Sequence, residues 1–131
     1  MKIKLEDTTT SAQAVTKICY NEPTRNLNYR IECEDLQDLK KCVEIIKYYN
    51  DFDYKSINRA LDRYFTPEDK FTFIIARENS PAMYIRLGTF GGEEVKDQLP
   101  DLMERFARDT KADEANIDDE RIWHTIRFWW D

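Results

Sequence analysis

The chain alternates between two hydrophobic periods. Ile3 and Leu5 are separated by polar residues and predict a short first strand, and Val15 to Tyr20 predicts a second. The polar run Thr8-Thr9-Thr10-Ser11 reads as a loop between them, and Asn21 to Asn26, with Pro23 inside it, reads as a turn. From Asn28 to Cys33 the period is two: Tyr29, Ile31 and Cys33 point one way, and Asn28, Arg30 and Glu32 the other. The period then changes. Asp35 is a suitable helix N-cap, because its carboxylate accepts from free backbone N–H groups. Leu36, Leu39, Val43 and Ile46 follow at helical spacing with Cys42 and Tyr49 on the same side, so the helix is expected to run to Tyr49. Asn50-Asp51-Phe52-Asp53 breaks it. A second helix is predicted over Lys55–Phe65, with Ile57, Leu61, Tyr64 and Phe65 inward, stopped by Thr66-Pro67-Glu68-Asp69.

Strand periodicity returns at Phe71–Arg77, with Phe71, Phe73 and Ile75 on the core side. Glu78-Asn79-Ser80-Pro81 makes a turn, and Met83, Ile85 and Leu87 are the core side of the next strand, with Tyr84 and Arg86 on its reverse. Gly88, Gly91 and Gly92 bracket a connection to a helix predicted over Glu93–Asp109, in which Val95, Leu99, Leu102, Met103 and Phe106 point inward. Pro100 falls inside this pattern and either kinks the helix or marks a fresh first turn. Residues 110–120 read as an acidic loop, and Arg121–Trp130 as a last strand rich in aromatic and β-branched residues. From residue 28 onward the order is β-α-α-β-β-α-β. The expectation is therefore an α+β fold: a ferredoxin-like β-α(α)-β-β-α-β antiparallel sheet with helices on one face. The first and last strands of that core are expected side by side. Residues 1–27 add a two-strand N-terminal arm, and 1–131 are read as a single domain with its core in 28–131.

Composition narrows the class. The chain has 131 residues, 41% of them hydrophobic and 35% charged, with a net charge of −6. That size and content allow a core without staples. The acidic balance opposes general affinity for nucleic acid or anionic membranes. No apolar run approaches the ~20 residues that span a bilayer, and the opening residues lack the apolar centre of a signal peptide, so a cytoplasmic location is expected. Cys19, Cys33 and Cys42 are odd in number and lack metal-ligand spacing; they read as reduced packing thiols.

Candidate chemistry comes last because little of it is specific. The final strand places Ile122, His124, Ile126, Phe128 and Trp130 on one face and Trp123, Thr125, Arg127 and Trp129 on the other. If the sheet forms as expected, its helix-free face collects Arg30, Tyr84, Arg86, Trp123, Arg127 and Trp129, with Glu32 and Thr125. Guanidinium groups bind carboxylates and phosphates through paired donors, and aromatic faces stack on flat rings. Cover by the first 27 residues, or arginines stacked on tryptophans and paired with Glu32, would explain the same face structurally. A contact between copies of the chain is a third explanation. The second candidate is an acidic stripe, Glu93, Glu94, Asp97, Asp101 and Glu104, spaced every three or four residues on one predicted helix. A solvated surface explains it; steering toward a basic protein partner is the functional alternative.

Other motifs are weak. Thr89-Phe90-Gly91-Gly92 lacks the lysine and hydroxyl ending of a phosphate loop. Asp51-Phe52-Asp53 lacks the pattern of a calcium loop, and Asp53 suits a helix cap. His124 is the sole histidine, so triad chemistry and common zinc sites are poorly supported. No catalytic residue, metal ligand or cofactor is indicated. The expectation is a non-enzymatic interaction protein that inhibits or sequesters a macromolecular partner, a protein, through its acidic and aromatic surfaces. Small acidic inhibitors of phage or mobile-element type share this character in composition alone. A binder of a small anionic or nucleotide-like ligand on the Arg/Trp face is the alternative, and a small enzyme using carboxylate or arginine chemistry there is a third.

Overall fold

The computed structural model describes residues 11–19, 27–66, 71–88, 97–119 and 123–131. In chain order the elements are α1 (Ser11–Cys19), β1 (Tyr29–Glu32), α2 (Leu36–Ile46), β2 (Tyr48–Tyr49), β3 (Phe52–Asp53), α3 (Tyr54–Tyr64), β4 (Phe71–Arg77), β5 (Pro81–Gly88), α4 (Leu99–Thr110), β6 (Glu114–Asp119) and β7 (Trp123–Trp129). Five strands form one antiparallel sheet in the order β1-β4-β5-β7-β6, and β2 and β3 form a separate two-stranded ribbon.

The class is α+β with an antiparallel sheet, as the alternating periods predict. One face of the sheet carries Ile31, Phe73, Ile75, Met83, Ile85, Leu87, Ile126 and Phe128 into a core that also holds the inward faces of all four helices described. The helices follow one another across that face: α1 packs on α2, α2 on α3, and α3 on α4. Trp130 closes one end of the core. It is fully buried, its ring meets Phe52 edge-on at 5.3 Å, and its indole N–H donates to the Thr110 carbonyl at 2.8 Å.

Local signals explain the helix boundaries. Asp35 caps α2, its Oδ1 accepting from the Asp38 amide at 2.8 Å, while Asp38 Oδ2 accepts from the Glu34 amide at 2.9 Å. This reciprocal pair satisfies two amide donors at the helix start. Asp53 caps α3 in the same way, accepting from the Lys55 amide at 3.1 Å. α4 begins with Pro100 in its first turn, where the missing N–H loses no helix bond. Pro100 therefore marks the first turn of a helix that starts at Leu99; the expected start at Glu93 lies outside the described residues.

Four expectations differ from the structure. Val15 to Cys19 belongs to helix α1, not to a strand; Ala14, Val15 and Ile18 are buried on one helical side against α2. The expected strand at Ile3 and Leu5 lies outside the described residues. Tyr49 is not helical, because α2 stops at Ile46 and Lys47 takes a positive φ of 63°. The chain then makes the β2–β3 ribbon, with Tyr48 opposite Asp53 and Tyr49 opposite Phe52. The predicted loop over 110–120 contains β6, an edge strand on β7 whose Ala115 and Ile117 pack against the core. Finally, the first and last strands are not neighbours. β1 pairs with β4, whereas both edges of β7 are taken by β5 and β6.

Candidate functional site

The sheet face turned away from the helices is built by register. Reading across the strands, Arg30, Ala76, Ala82, Trp129 and Glu114 form one row. Glu32, Ile74, Tyr84, Arg127 and Asn116 form the next, and Thr72, Arg86, Thr125 and Asp118 a third. Neighbours in a row are ~4.5–5.5 Å apart at their origin, so long side chains on adjacent strands meet. Arg30, Tyr84, Arg86, Arg127 and Trp129 thus share one face, as alternation predicts. Trp123 occupies the register position opposite Gly88 on the same face, but its side chain lies outside the described residues.

Sequence reasoning missed the residue that organises this face. Glu78 sits in the β4–β5 turn, which Asn79 folds tightly with a φ of 64°. Its Oε1 accepts from Arg127 Nε at 3.0 Å and from the Tyr84 hydroxyl at 2.8 Å. Its backbone carbonyl accepts from the Trp129 indole N–H at 3.0 Å. One turn residue therefore holds three face residues. Pairing with Glu32 was one structural explanation of the arginines; the partner of Arg127 is Glu78. The turn itself is tied down, since the Asn79 amide donates to Asn28 Oδ1 at 2.8 Å.

The remaining contacts are stacking ones. Arg30 lies over the Tyr84 ring at 4.4 Å, and Arg127 sits 5.9 Å from the Trp129 ring centre. Ala76 and Ala82 between Arg30 and Trp129 are too small to obstruct, so the guanidinium of Arg30 reaches across from the edge strand to β5. Burial and the Glu78 hydrogen bond push the Tyr84 phenol above its ordinary range. For Arg127 burial opposes the charge, yet the hydrogen bond and charge of Glu78 outweigh it and hold the guanidinium more firmly protonated. Thr125, between Arg86 and Asp118, is buried and its hydroxyl has no hydrogen-bond partner. Along β6 the face turns acidic, with Glu114 and Asp118 exposed. The face thus runs from cationic and aromatic at β1 and β5 to anionic at β6. Exposed Arg30 offers donors to an incoming carboxylate or phosphate, and Trp129 and Tyr84 offer flat apolar area.

Of the expected acidic stripe, Asp97, Asp101 and Glu104 fall among the described residues. Glu93 and Glu94 lie outside the described residues. Asp97 precedes α4, and only Asp101 and Glu104 lie on it. Asp101 pairs with Arg105 one turn on, at 3.1 Å, and stands in the first helical turn, where a carboxylate favours the helix dipole. Asp97 and Asp101 line a cleft of about 570 Å³ with Tyr64, Phe71 and Arg105. His124 is buried on the core side, opposite Leu87 and Asp119. The three cysteines are free thiols, Cys33 and Cys42 buried and Cys19 half-buried. Among the described residues no group of His, Cys, Asp and Glu is arranged to hold a metal ion, and no helix is long and apolar enough to cross a membrane. Comparison with protein-family models, with curated proteins and with solved structures finds no match to this chain.

Proposed function

We propose that the chain is a non-enzymatic interaction protein that captures a macromolecular partner, a protein, on its helix-free sheet face, and inhibits or sequesters that partner by occupying it. The observation that carries this reading is the clustering of Arg30, Tyr84, Arg86, Arg127 and Trp129 on that one face, with Glu78 fixing three of them in place. Arginine and large aromatics supply most of the binding energy in protein interfaces. Side chains already locked by hydrogen bonds lose less freedom on association, which favours affinity. The grade from Arg30 to Glu114 along one row would orient a partner with the opposite grade. The acidic helix contributes less in this reading, because Asp101 is already paired.

The test is affinity capture with substituted bait. Arg30→Glu is the cleanest variant, since Arg30 is exposed and its stacking on Tyr84 is a surface contact. Arg30→Glu and Trp129→Ala should each lose the captured partner while circular dichroism matches the parent. Asp101→Lys with Glu104→Lys should keep it. Capture that survives both face variants and vanishes with the helix pair would transfer the function to the acidic helix.

A further inference from the structure

The helix layer holds a second cationic cluster, remote from the sheet face. Along α3, Ser56, Arg59, Ala60 and Arg63 fall at i, i+3, i+4 and i+7, so they share one side. With Asp109 of α4 they line a cleft of about 240 Å³. Lys55 extends the same stripe, so Lys55, Arg59 and Arg63 stand four residues apart. Like charges at that spacing destabilise an isolated helix, and no acidic residue occupies the first turn of α3. Opposing carboxylate is scarce here. Asp109 Oδ2 is 3.6 Å from Arg63 Nη1, and its Oδ1 is 3.6 Å from Arg108 Nε. The same carboxylate accepts the Tyr64 hydroxyl at 2.5 Å. Arg59 has no ion-pair or hydrogen-bond partner among the described residues. The two guanidiniums that line the cleft, against one carboxylate, leave one positive charge in excess, in a chain whose net charge is −6.

We propose that this α3–α4 cleft binds a phosphoryl group, gripped by Arg59 and Arg63, either as inorganic phosphate or as the end of a small phosphomonoester. Guanidinium forks match a tetrahedral oxyanion with paired donors, and the Arg63–Asp109 pair at 3.6 Å is too long to engage those of Arg63. Nearly buried Ala60 gives a short, apolar floor that lets an anion approach the helix surface. The volume falls below the ~300–1,000 Å³ of pockets that enclose whole small molecules, so the cleft suits one phosphoryl group rather than a complete nucleotide. Tyr64, Arg108 and Arg63 hold the Asp109 carboxylate below its ordinary range, so it stays charged and competes with an incoming anion for the guanidiniums.

Isothermal titration with inorganic phosphate and with glycerol phosphate at low ionic strength tests this. Saturable binding to the parent is expected, weakened at least ~tenfold in Arg59→Ala/Arg63→Ala, the loss expected for one charge-assisted hydrogen bond. Preference for glycerol phosphate over inorganic phosphate would identify a monoester as the source, and the reverse the free ion. Both arginines are surface residues, and Arg59→Ala alone removes no internal contact, so a folded variant is secured. Asp109→Asn should tighten phosphate binding by about threefold, because it removes an opposing charge a few ångströms away. Absence of saturable binding overturns the proposal. So does binding that survives the double substitution but is lost in Arg86→Ala, which would assign the anion to the sheet face.

Discussion

Glu78 shows how much one turn residue can decide. Its carboxylate joins Arg127 and Tyr84, and its carbonyl fixes Trp129, so three strand residues on two strands converge on a single position. Removing the side chain leaves the Arg127 guanidinium and the Tyr84 hydroxyl to find water. Glu78→Ala should therefore lower stability by about 1 kcal/mol, toward the low end for a charged hydrogen bond because the group is partly solvated. A urea double-mutant cycle with Arg127→Ala should return a coupling of at least ~0.5 kcal/mol; additive losses would show that the pair is not energetically linked. The strand members of this cluster were legible in the sequence. Tyr84, Arg86, Arg127 and Trp129 occupy alternate positions, and alternation alone places them opposite Ile85, Ile126 and Phe128. Glu78 was not legible, because a turn has no period and its aim depends on the positive φ of Asn79.

At the level of elements, strong caps and long periodic segments were the readable parts. Asp35 and Asp53 both cap the helices they precede. α1 was misread because Val15, Thr16 and Ile18 are β-branched and short strands share their composition; docking of Ala14, Val15 and Ile18 on α2 overrides that preference. β6 was hidden by its carboxylates, although Ala115 and Ile117 alternate inside it. The end of α2 was misplaced because the apolar side continues through Tyr49, whereas the backbone leaves the helix at Lys47. That residue adopts φ 63° and ψ −81°, a conformation disfavoured for a residue with a Cβ. Lys47→Gly should relieve about 1 kcal/mol of strain and raise the melting temperature by a few degrees. A melting temperature that falls instead would mean that chain entropy outweighs the relief.

For the whole molecule, hairpins were legible and long-range pairing was not. The short Glu78–Ser80 connection dictates that β4 and β5 pair, but nothing local to β1 and β7 records that β6 already fills the second edge of β7. Global stability carries a pH signature from the buried thiols and phenol. Burial pushes up the Cys19 thiol, a hydrogen bond to Cys42 together with burial pushes up Cys33, and burial pushes up the Tyr29 phenol. Each folded value lies above its unfolded one, so the protonated groups contribute stability that is full below ~8.5 for the thiols and ~10 for the phenol and falls as pH rises beyond them. Urea midpoints measured from pH 7 to 11 should decline above that lower limit, and Cys33→Ala should flatten the slope between the two; an unchanged slope would place the alkaline loss elsewhere. The outermost strand has a different consequence. β6 is an edge strand that carries Glu114 and Asp118 on its helix-free face, so two molecules pairing rim to rim would bring carboxylates together beside the new ladder. The same residues that disguised this strand as a loop act as a fence against fibril growth. That fence adds to the net charge of −6, which keeps copies apart at neutral pH.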